Sequence, residues 1–214
     1  MTPWADAILV LIVLSSFLLL GSSRLAAGIR VGAGQGVLVG LLPLVATGPR
    51  MRLEAGAMAV AIVLLKGWVF PRLLLRALRE AETTREAQPL IGHGTSLFAG
   101  VAMLWVATAL ALRVPRTSPY APDLLVPVAL SLLMTGVFLM VARRTAVSQV
   151  IGYLVLENGI YALGLALVGG VPVLIELGAL MDLFVGVFAM GIAIFRINRA
   201  FDHIDADRLT ALRG

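Results

Sequence analysis

Gln149–Leu167 reads QVIGYLVLENGIYALGLAL, an apolar run of nineteen residues interrupted by one charge, Glu157. Wound as an α-helix at 1.5 Å per residue, it is long enough to cross roughly 30 Å of hydrocarbon. In lipid the backbone must satisfy its own hydrogen bonds, and a run without strict alternation does so only as a helix. A carboxyl at the centre of such a helix costs on the order of 2.5–3.5 kcal/mol on insertion scales. Residues of this kind face the interior of a helix bundle, where they pair with another polar group or mark an ion route. Tyr153, Glu157 and Tyr161 recur at intervals of four, so two phenols flank the carboxyl on one face. Asn158 and Gly159 follow directly, adding a polar side chain and a backbone point able to accept a π-turn.

Six further apolar runs lie on either side of the one around Glu157. All seven are placed at 4–22, 28–47, 54–76, 95–113, 122–142, 147–168 and 173–195, which predicts an all-α polytopic membrane protein of about seven transmembrane helices. The totals agree. Hydrophobic residues make up 60% of the 214, charged residues 14%, and the mean hydropathy is +0.99, against roughly a quarter charged in a soluble domain. The second run is the least regular, with Gly32, Gly34, Gly36, Gly40 and Pro43, although small residues also let helices approach closely in lipid. The run from Ala5 to Leu20 has neither a basic flank nor a small-residue cleavage pattern, so it is read as a retained helix. No internal repeat of the inverted-carrier type is visible.

The net charge of +5 does not point to nucleic acid, because the basic residues gather at the ends of the apolar runs. Arg50, Arg52, Arg113 and Arg116 fall on one side of the predicted membrane and the other twelve arginines on the opposite side. The positive-inside rule then places the N-terminus outside and the C-terminal tail in the cytoplasm of a cell inner membrane. The chain reads as one membrane domain, with helices one to four in 1–116, helices five to seven in 117–200 and a tail in 201–214. The polar connector from Arg76 to His93 starts as a helical extension and is limited by Pro89. It is either a solvated link or a docking surface for a cytoplasmic partner.

Cysteine is absent and histidine is limited to His93 and His203, which excludes disulfides, thiolate zinc and cysteine-ligated clusters in this chain. With His93 expected in a charged loop and His203 in the tail, bis-histidine haem is also set aside. No nucleophile–base constellation and no phosphate loop is present, so no catalytic, cofactor or metal residue is assigned.

Chemistry rests on the buried charges Lys66, Glu157, Glu176 and Asp182. Lys66, in AIVLLKGWVFP, lies near mid-depth. Pro71 cannot donate to the carbonyl of Gly67, so a bend is expected one turn from the lysine, with a free carbonyl able to meet water beside the ammonium. Two roles fit Lys66: a member of a proton relay, or a lysine fixed by a carboxylate on a neighbouring helix. Glu157 has the same choice, between proton carrier and packing residue. Asp182 shares a face with Gly178 and Gly186, and Glu176 sits near the start of its span.

Two segments then become recognisable: IGYLVLENGIYALGLAL at 151–167 and IELGALMDLFVGVFAMGIAIFRINR at 175–199. With the Lys66–Pro71 pair they closely resemble the hydrogenase-4 component E family. That family looks like an enlarged form of NuoK, the small membrane subunit of complex I, and belongs to nickel–iron hydrogenase and formate hydrogenlyase-type complexes. The resemblance implies a NuoK-like unit in the last three helices. It also implies antiporter-like and quinone-module-like membrane partners, lipid, and a cytoplasmic hydrogenase arm. Nickel–iron and iron–sulfur centres would reside in those partners. NuoK's glutamate position falls here on Leu154, three residues before Glu157, which is about 4.5 Å along the axis and nearly the same face. Asp182 is the nearest equivalent of a second NuoK glutamate. The function so implied is a non-catalytic subunit of an oxidoreductase complex that contributes a proton path through Glu157, Lys66, Asp182, Tyr153, Tyr161 and Glu176. The alternative is a structural scaffold for antiporter-like subunits. An independent solute carrier is disfavoured by the missing repeat.

Overall fold

The computed structural model describes residues 3–46, 52–80, 90–114 and 121–167. Helix α1 runs Pro3–Gly21, α2 Leu25–Ala46, α3 Arg52–Leu64, α4 Phe70–Glu80, α5 His93–Ala111, α6 Leu125–Ala142 and α7 Ala146–Leu167. Helices α1, α2, α5, α6 and α7 are each long and apolar enough to cross a membrane. The third predicted run is helical from 52 to 80, but it is divided into α3, a π-turn at Leu65–Val69, and α4. The seventh run, 173–195, lies outside the described residues, and Glu176 and Asp182 lie there with it. The connector between α4 and α5 is described only at its two ends.

Proline explains the π-turn. Pro71 has no N–H and its ring crowds the carbonyl four residues back. The turn before it widens, so that the Phe70 N–H bonds the carbonyl of Leu65, five residues earlier. The distortion therefore begins before the lysine and contains it. The other point considered for a π-turn, at Asn158–Gly159, is not used: α7 is α-helical throughout.

Helices α1, α2, α5, α6 and α7 are apolar around most of their circumference, as lipid-facing helices are, whereas α4 has a distinct polar face. Leu11, Leu14 and Leu18 of α1 and Phe98, Val101 and Trp105 of α5 are exposed, while α7 is the most enclosed helix among the described residues. Helix α7 packs along α6 and against α2; α5 leans on α6 and α1, and α3 on α2. The α6–α7 contact is close enough to bring backbone against backbone. A Cβ on Gly136 would lie 2.4 Å from the amide nitrogen of Leu156, so only glycine fits there.

One end of the bundle is fastened by Arg143. It is 3% exposed, and its Nη2 donates to the carbonyl of Leu20 at 2.7 Å while Nη1 lies 3.3 Å from His93 Nε2. The end of α1, the start of α5 and the end of α6 thus meet, with Arg24 nearby at the start of α2. His93 is the first residue of α5 and contacts Arg143, in place of the loop position expected. The arginine doublet at 143–144 reads in sequence as a pair of flanking charges, and nothing in it signals that Arg143 turns inward.

Candidate functional site

Lys66 sits in the π-turn and reaches across α2 to α7. Its stem crosses Gly36, where an added Cβ would stand 2.8 Å from the lysine Cβ. Only the missing side chain at Gly36 lets Lys66 take this course. Beyond it the ammonium lies 2.7 Å from Glu157 Oε1 and donates to Asn158 Oδ1 at 2.8 Å. Lys66 is 6% exposed, Glu157 3% and Asn158 1%. The desolvation of two charges is offset only when geometry is close and the remaining donors are satisfied. Here the ammonium has one charged and one neutral partner.

The polar chain continues past Asn158. Its Nδ2 donates to Gln35 Oε1 at 3.2 Å. Gln35 Nε2 in turn donates its two hydrogens to Ser15 Oγ and Ser16 Oγ, both at 2.9 Å, and lies 3.3 Å from the carbonyl of Ile12. Ser15 and Ser16 each donate to that same carbonyl. Polar contacts therefore connect Glu157 and Asn158 of α7 to Lys66 of the π-turn, Gln35 of α2 and the serines of α1.

Two atoms stand apart from this chain. Glu157 Oε2 and the Tyr161 hydroxyl are buried with no hydrogen-bond partner among the described residues. Tyr161 lies one turn beyond Glu157, and half-buried Tyr153 one turn before it. A small cavity of about 10 Å³ is lined by Lys66, Pro71 and Asn158 at one end and by Ile29, Leu74 and Leu154 at the other, close to the space one water needs. A second, about 20 Å³, is lined by Arg24 and Gly28 near the start of α2, by Leu139 and Arg143 at the end of α6, and by Ser148 and Ile151 of α7. No group of three metal-ligating side chains converges among the described residues.

Of the residues anticipated from sequence, Lys66 and Glu157 are brought into direct contact, and Tyr161 shares their buried face. Gln35, Ser15 and Ser16 were not anticipated. A lone glutamine inside an apolar run was a usable signal, since a primary amide in lipid requires partners. The serine doublet gave none, because helical serines ordinarily bond their own backbone.

The chain is 36% identical to the uncharacterized protein Rv0085 of Mycobacterium tuberculosis over 204 residues, which cover 94% of this chain and 92% of that protein. The chain belongs to the Rv0085 family. Over 103 residues it is also 30% identical to hydrogenase-4 component E of Escherichia coli K12, a match that covers 48% of this chain and 47% of that protein. A weak relationship to hydrogenase-4 component E is thereby established for about half of this Rv0085 relative. No protein-family model matches the chain, and no solved structure does.

Proposed function

We propose that the chain is a membrane subunit of a hydrogenase-type, complex I-like assembly, in which the Lys66–Glu157 pair is a station on a proton path. The observation that bears most on this reading is the carboxyl itself. One oxygen of Glu157 is held by the ammonium at 2.7 Å, while the other is buried and unpartnered among the described residues. A carboxylate held this way can take a proton on Oε2 without first leaving its partner. Protonation removes the charge that Lys66 was neutralising, and the two groups repel or attract other charges differently in the two states. Such a change is what a redox step in a neighbouring subunit needs in order to drive a proton onward.

Two separate small cavities, one beside Lys66 and Asn158 and one beside Arg24 and Arg143, leave room for single waters on the side of the arginine-rich end, which we assign to the cytoplasm. Tyr161 and Tyr153 extend the polar face of α7, and Asp182 and Glu176 are proposed as further carriers from the last span. The nickel–iron and iron–sulfur chemistry, and the antiporter-like, quinone-module-like and hydrogenase partners, belong to other chains in this reading.

The test is Glu157→Gln in the intact complex. Glutamine keeps a carbonyl for Lys66, so the complex assembles. Proton translocation per turnover, measured in inverted membrane vesicles, falls by at least about a hundredfold, the scale of a positioned proton carrier. Undiminished translocation with normal assembly defeats the proposal.

A scaffold role is the second reading, favoured by the chain of hydrogen bonds from α1 to α7, which fixes helix register as buried polar groups do in other assemblies. It differs from the first in what happens when both charges are removed together.

A further inference from the structure

We infer that Gln35 is a positioning residue that holds Lys66 in place through Asn158, whatever the charge on Glu157; this rests on the proton-path reading above. The amide orientations in the chain are forced from both ends. At one end the carbonyl of Ile12 can only accept, and the hydroxyls of Ser15 and Ser16 donate to it. Each serine oxygen is then left as an acceptor. Gln35 must turn its NH₂ toward them, as it does, and so presents Oε1 to α7. At the other end the ammonium of Lys66 can only donate, so Asn158 must turn Oδ1 toward it and Nδ2 toward Gln35. Both ends demand the same direction. Reversing either amide would set NH₂ against NH₂ or against the ammonium.

The consequence concerns which partner moves. Lys66 has a neutral acceptor, Asn158 Oδ1, which is itself fixed by a chain ending on the backbone of α1. When Glu157 is neutral, that acceptor still holds the ammonium at the same place. Glu157 has no comparable second tie among the described residues. The carboxyl is therefore the exchanging group and the lysine a stationary charge, and Gln35 keeps it stationary without touching it.

The experiment compares Gln35→Met, which preserves shape and removes the amide, with Ser15→Ala/Ser16→Ala, which removes the two hydroxyl acceptors behind it and leaves only the longer contact to the Ile12 carbonyl. In vesicles containing the assembled complex, protons translocated are measured per hydrogen turned over. Both variants are expected to keep hydrogen turnover and lose about fivefold in that ratio, the factor that one neutral buried hydrogen bond is worth. A merely structural role would change the amount of complex and leave the ratio alone, so an unchanged ratio in assembled variants overturns the inference. Should Gln35→Met fail to assemble, the serine variant decides alone. Glu157→Gln run alongside separates the two claims. If it abolishes translocation while the Gln35 and serine variants do not, only the positioning role fails; if it too leaves the ratio intact, the proton path itself fails.

Discussion

Lys66→Met lowers the stability of the assembled protein by about 3–5 kcal/mol, the cost of leaving a buried charge without its partner. The loss comes less from the missing attraction than from what remains: the Glu157 carboxyl, 3% exposed, facing methionine in place of its partner, with Asn158 Oδ1 also deprived of its donor. Retention of the subunit in the detergent-solubilised complex during heating measures it. The informative comparison is the double variant Lys66→Met/Glu157→Leu. Replacing both members of a buried pair with apolar side chains is often neutral or stabilising, so the double variant recovers most of the lost stability. What the double variant newly leaves without a partner is Asn158 Oδ1, at about 1–3 kcal/mol, while Asn158 Nδ2 keeps Gln35. If the pair serves only to specify packing, translocation returns with stability. If the pair carries protons, stability returns and translocation does not, and this second outcome is the one expected.

Gly136→Leu has the other large effect, and it acts by collision. A single Cβ at this position already meets the Leu156 backbone at 2.4–2.6 Å. Helices α6 and α7 cannot both keep their course with a larger side chain between them, and overpacking of this severity costs upward of about 3 kcal/mol. Leu156 adjoins Glu157, so the displacement also moves the carboxyl away from Lys66. The expected result is a complex that loses both thermal stability and translocation. Val137→Leu, one residue along on a half-exposed side chain, serves as the control and changes neither.

How far the sequence foretold these features depended on the kind of signal. Apolar length located six of the helical runs, because the membrane leaves a polypeptide few other choices. Lys66, Glu157 and Tyr161 could be singled out for the same reason, since a polar group in lipid stands out against its surroundings. That Lys66 and Glu157 meet was only one of two possibilities open to the sequence. They are 91 residues apart in the chain, and contact depends on the crossing at Gly36, which looks in sequence like any of its glycine neighbours. Pro71 gave warning of a distortion but not of its form. Whether a turn tightens, bends or widens depends on what packs against it, and here the widened turn carries the lysine. Arg143 shows the reverse case: a charge that fits a familiar pattern of flanking arginines, yet is drawn inward by the carbonyl of Leu20 and the ring of His93.

In the proposed mechanism the Glu157 carboxyl gains and loses a proton while Lys66 stays beside it. Redox-triggered infrared difference spectroscopy of the intact complex observes this directly, because a protonated carboxyl has its own carbonyl-stretch band. A proton-carrying Glu157 gives a band that rises and decays with turnover and disappears in Glu157→Gln. A difference spectrum lacking any such band, or showing the same band in the variant, would contradict the mechanism.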